Sequence, residues 1–134
     1  LPIAAVAVAC DLSAQLIEVF ILPGQNGEPA FLLWHRRAVL LTGFLANGLY
    51  TLAAGLLAWA SRNSYPSWVN ACAAGVVAAG CALSAAAWVS SVRGMFWSNA
   101  LLVPALLGWL AGVGLTARRR LRDEERAPVR AGQG

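Results

Sequence analysis

The stretch SWVNACAAGVVAAGCALSAAAWVS, residues 67–90, holds 24 consecutive positions without a charged side chain. About 20 such residues suffice for a helix to cross some 30 Å of hydrocarbon. Immediately before it, Pro66 occupies a place where the first turn of a helix tolerates a missing N–H. The connectors on either side, SRNSYPS and SSVRGMFWS, carry Arg62 and Arg93. Further out, three more apolar stretches repeat the pattern, which divides the chain into four expected spans at 1–22, 38–60, 67–90 and 96–117. Between the first two, ILPGQNGEPAFLLWHRR reads as a connector because Pro23-Gly24 and Gly27-Glu28-Pro29 break helices. The third connector is expected to turn at Gly94. The fold expected is an all-α integral membrane protein, a four-transmembrane-helix bundle over residues 1–117. A basic tail without regular structure is expected over 118–134.

Composition supports this partition. Of 134 residues, 59% are hydrophobic and 12% charged, with a mean hydropathy of +0.63. A soluble domain carries roughly a quarter of its residues as charged groups, and a disordered chain needs low hydrophobicity, so both classes are excluded. The net charge of +4 rests on ten arginines and no lysine. Seven of them, Arg62 and the six from Arg118 onward, fall on one side of the spans, against Arg36, Arg37 and Arg93 on the other. The positive-inside rule then puts both termini and the second connector in the cytoplasm, and the expected location is the plasma (inner) membrane of a bacterium. Trp34, Trp59, Trp68, Trp88 and Trp97 lie near span ends, where aromatic side chains anchor helices at the interface. Arg118, Arg119, Arg120 and Arg122 are expected to meet anionic headgroups. The tail has no folded basic face or groove-reading element, so a nucleic-acid partner is not expected.

The sequence AVAC at residues 7–10 has the outline of a lipoprotein cleavage box. The apolar stretch runs a dozen residues past Cys10 and lacks a basic start, so a span is expected instead of a cleaved signal. Leu1 suggests that residues precede the sequence. Cys10, Cys72 and Cys81 show no metal-ligand or dithiol spacing, and no metal is expected.

In lipid, helices associate through close contact at small residues. The alanine- and glycine-rich third span is therefore expected to be the most enclosed. Gly108 and Gly112 form a G-x-x-x-G motif in the fourth span, read either as intrachain packing or as a homodimer seam.

The informative residues are polar ones inside spans. Asp11, Gln15 and Glu18 stand at i, i+4 and i+7 on one helix face. A central charge costs about 2.5–3.5 kcal/mol on insertion scales, so it usually faces the protein interior. With the second span beginning at Arg37, rise per residue puts Asp11 about 16 Å, Asn47 about 15 Å and Tyr50 about 20 Å deep. The expected ligand-binding site is thus Asp11, Gln15, Glu18, Asn47, Tyr50 and Cys81 near the midplane, with Asp11 and Glu18 as the candidate catalytic pair. A carbonyl freed by Pro104 near Ala100 is expected to add an acceptor. Glu18 is expected to pair with Arg36 or Arg37. His35, Arg36 and Arg37 form a possible anion or headgroup site at the outer mouth, with His35 otherwise a polar rim residue.

Three functions fit this reading. An accessory or interaction subunit, or small ligand-binding protein, would use the polar stripe and small-residue faces to bind a partner. A proton-coupled carrier would use Asp11 as the exchanging group. A membrane-embedded enzyme on a lipid or isoprenoid would use Asp11 and Glu18 as an acid/base pair. In size, helix count and a first-span acidic residue the chain is superficially similar to the small multidrug resistance transporters, a likeness that favours the carrier. Their surrounding motif has no residue-by-residue counterpart here. No cofactor is specified by any motif.

Overall fold

The computed structural model describes the backbone of residues 2–131 and the side chains of residues 2–123. Helix α1 (Pro2–Leu16) runs into a π-helical turn (Ile17–Ile21) and a short 3-10 turn (Leu22–Gly24). Helix α2 (Glu28–Val39), a π-helical segment (Leu40–Ala46) and α3 (Asn47–Ser61) form one continuous column. Helices α4 (Ser67–Trp88) and α5 (Val92–Ala131) follow. Four columns, Pro2–Gly24, Glu28–Ser64, Ser67–Trp88 and Val92–Asp123, are long and apolar enough to cross a membrane.

The second column begins at Glu28 and not at Ala38. Gly27 is extended (φ −134°, ψ 133°), its carbonyl accepts from Phe31 N–H at 3.0 Å, and Pro29 lies in the first turn. Proline there costs no intrahelical bond. What reads as a helix breaker in sequence is therefore a helix start, and FLLWHRR is helical.

Each column packs substantially only against its neighbours in the chain: the first on the second, the second on α4, and α4 on α5. Among the described residues the expected bundle takes the form of a row, with α1 and α5 as its edges. Helix α4 is the most enclosed, with 44% of its apolar window buried against 11% for each of the others. Its alanines and glycines let both neighbours approach, as the composition predicts.

Between α4 and α5, Gly75 faces Ala105, Gly108 faces Cys72, and Gly112 faces Val69 and Trp68. A Cβ on Gly112 would lie 2.5 Å from Val69 Cγ2. Trp109 is buried between these contacts with Val69, Ala73 and Val76. Gly108 and Gly112 thus both make intrachain contacts with α4, as in the first of the two readings of the motif.

The α4–α5 turn lies at Ser90–Ser91, not at Gly94. Ser90 adopts φ 55°, while Ser91 N–H bonds Ala86 O at 2.8 Å and Ser90 N–H bonds Ala87 O at 3.1 Å. This is the paired capping pattern usually built with glycine. Ser91 Oγ then accepts from Gly94 N–H at 3.2 Å and caps α5. Gly94 serves close approach, since a Cβ there would meet Ala86 Cβ at 2.9 Å.

Helix α5 has 40 residues, about 60 Å at 1.5 Å per residue and twice the hydrocarbon thickness. It continues past Ala117, so residues 118–131 are helical backbone where an irregular tail is expected from sequence. Residues 132–134 lie outside the described residues, as do the side chains of 124–131.

Candidate polar and groove sites

The hairpin register follows from where the second column starts. Because α2 begins directly after the turn at residues 25–27, the level opposite Asp11 is occupied by Thr42 and not by Asn47. Thr42 Oγ1 donates a hydrogen bond to Asp11 Oδ1. Both side chains are half-buried, and the flanking Ala7, Ala14, Ala38 and Ala46 are each 0–1% exposed. Small residues bring α1 close enough to the second column for a carboxylate and a short hydroxyl to meet.

Asn47 faces the other neighbour. Its Nδ2 donates to Gly80 O at 2.8 Å and to Ser84 Oγ at 2.9 Å on α4. One turn further on, Thr51 is buried against Gly80, where a Cβ would lie 2.1 Å from Thr51 Oγ1. Gly43 abuts Ala87 in the same register. The expected midplane constellation is therefore two separate contacts, one on each side of the second column. Tyr50 is 39% exposed and enters neither hydrogen-bonded contact.

Gln15 on α1 and Glu18 in the π-helical turn that follows it are both exposed. Among the described residues Glu18 makes no ion pair with Arg36 or Arg37; Arg37 lies over the Trp34 ring, 4.6 Å from its centroid. His35 is exposed and stacks on Phe31 at 6.0 Å. Pro104 is exposed on α5, a helix with no substantial contact to α1, so a carbonyl at Ala100 is not part of the Asp11 contact. In the tail, Arg120 donates to Ser64 O at 2.5 Å and lies over Tyr65 at 6.0 Å, while Arg118, Arg119 and Arg122 are exposed.

Two grooves run along one side of the second column. The first, about 610 Å³, lies between α3 and α4 and is lined by Gly48, Leu52, Gly55, Trp59, Cys81 and Ser84 among others. The second, about 500 Å³, includes Ile17, Trp34, Arg37, Leu41 and Trp88. Phe44 lines both and packs on Trp88 at 5.0 Å. A third, about 470 Å³, lies between α4 and α5 beside Trp97 and Ala82. None of these three is lined by Asp11, and Cys81 belongs to the first.

The three cysteines are free thiols, and among the described residues no three His, Cys, Asp or Glu side chains converge as metal ligands. Two features escape the sequence reading. Thr42 and Ser84 are the hydroxyls that receive Asp11 and Asn47, and nothing in their local sequence separates them from other small residues; only the register does. Comparison of the chain with protein-family models, curated proteins and solved structures finds no match.

Proposed function

We propose that the chain is an interaction subunit of a membrane assembly, docking through the outward face of α1 onto a transmembrane partner helix that carries hydrogen-bond donors. The observation that carries this reading is the exposure of Gln15 and Glu18 within the first span. A carboxylate inside a span ordinarily faces protein or a water-filled cavity because lipid cannot solvate it. One turn apart on an edge helix, the amide and carboxylate offer a paired acceptor site. The arginine count favours an orientation with both termini in the cytoplasm.

A proton-coupled carrier or a lipid-directed enzyme requires Asp11 to share a cavity with its substrate. Here Asp11 is half-buried and bonded by Thr42, while Glu18 is exposed. The interaction reading is preferred on that geometry.

The test is photo-crosslinking in the producing cell, with a photoreactive residue at Gln15, Glu18, Leu12 or Leu107 in otherwise unchanged chains. The expected result is a discrete protein adduct from positions 15 and 18 and none from position 107 on α5. Lipid adducts alone from all four positions would refute the proposal.

A further inference from the structure

The groove between α3 and α4 has a shape and an end-group that specify an occupant. From Phe44 to Trp59 it follows 15 residues of helix, about 22 Å at the usual rise. Its volume is about 610 Å³. An extended alkyl chain of a phospholipid matches that length and the apolar lining.

The lining chemistry agrees. Leu52, Leu56, Val77 and Ala85 present hydrocarbon. The two hydroxyls along the groove are turned into the helix contact: Ser84 Oγ accepts from Asn47, and Thr51 Oγ1 sits against Gly80. At one end Phe44 packs at a tilt on Trp88, with ring centroids 5.0 Å apart. At the other, Arg62 lies over the Trp59 ring, 5.3 Å from its centroid. That end of the molecule also carries Arg118, Arg119, Arg120 and Arg122, since Arg120 reaches Ser64 O. A basic group at a span end, beside an interfacial tryptophan, is complementary to a lipid phosphate.

We infer that this groove holds one acyl chain of an anionic phospholipid, with the lipid phosphate on Arg62 and the chain terminus against the Phe44–Trp88 pair. The site does not involve the edge face of α1 and stands independently of the partner proposed above.

The experiment is native mass spectrometry of the full chain in detergent, titrated with phosphatidylglycerol or phosphatidylcholine of identical acyl composition. Parent, Arg62→Gln, Arg93→Gln and Cys81→Trp chains are compared, with Leu52→Trp as a second groove-filling variant. Helicity and thermal unfolding are followed in parallel. The expected result is a one-to-one complex favouring phosphatidylglycerol by about fivefold, the size of one juxtamembrane arginine contact. Arg62→Gln removes that preference and Arg93→Gln keeps it. A folded groove-filling variant loses both lipids. Equal retention of the two lipids by the parent, a preference that survives Arg62→Gln, or undiminished binding in a folded groove-filling variant would each overturn the inference.

Discussion

Thr42 donates a hydrogen bond to Asp11 across the contact between α1 and the second column, at a level set by the helix start at Glu28. The carboxylate that the sequence offers as an exchange or catalytic group is bonded across a helix contact. Asn47, expected from sequence to share a site with it, belongs to the next interface and bonds Gly80 O and Ser84. The second column thus uses one side for each neighbour, while Gln15 and Glu18 are exposed.

Gly80→Ala should destabilise the protein by about 1–3 kcal/mol through overpacking. The new methyl would meet Thr51 Oγ1, Cγ2 and Cβ, and a β-branched side chain has little freedom to rotate away. Adding Thr51→Ala should restore most of the loss. Unfolding in mixed micelles reads both effects, and a Gly80→Ala chain as stable as the parent would contradict the α3–α4 register.

Two glycines of α5 should respond with opposite signs. Gly112→Ala pushes against Val69 and Trp68, whereas a Cβ at Gly114 meets nothing within 4 Å. Gly112→Ala should therefore destabilise by about 1–3 kcal/mol, and Gly114→Ala should stabilise by about 0.5–1 kcal/mol through helix propensity. Light scattering in detergent should show no change of oligomeric state for Gly112→Ala. Dissociation of a dimer by that variant would place the motif at a seam between chains.

Ser90→Gly should stabilise the α4–α5 turn. Ser90 holds φ 55°, a conformation that costs a residue bearing a Cβ roughly 1–2 kcal/mol, partly offset by the freer unfolded chain of the glycine variant. Higher resistance to unfolding is expected, and a less stable Ser90→Gly chain would mean that the serine side chain outweighs the backbone term.

Much of the architecture is legible in the sequence because hydrocarbon thickness and charge placement act over whole segments. The four long apolar helices and the enclosure of the alanine-rich α4 follow from such averages. Register is different, because it depends on single boundaries. Reading Gly27-Glu28-Pro29 as a break instead of a helix start moves the level opposite Asp11 from Thr42 to Asn47, and the expected midplane site follows from that shift. Pro29 within two residues of an extended glycine is the signal that could have corrected it. Ser90 offers no comparable signal, since glycine is the usual residue at that capping position. The exposure of Gln15 and Glu18 is also not legible: helical spacing places them near the Asp11 face, yet both are exposed, Glu18 within the π-helical turn at Ile17–Ile21.

The most direct test of the account is a double-mutant cycle on unfolding free energy, pairing Asp11→Leu with Thr42→Val and, separately, with Asn47→Leu. Interhelical hydrogen bonds in membrane proteins couple by about 0.6 kcal/mol on average and up to about 1.7 kcal/mol. A coupling in that range is predicted for Asp11 with Thr42, and additivity within about 0.3–0.5 kcal/mol for Asp11 with Asn47. Coupling of Asp11 to Asn47 but not to Thr42 would contradict the register and return Asp11 to a shared midplane site.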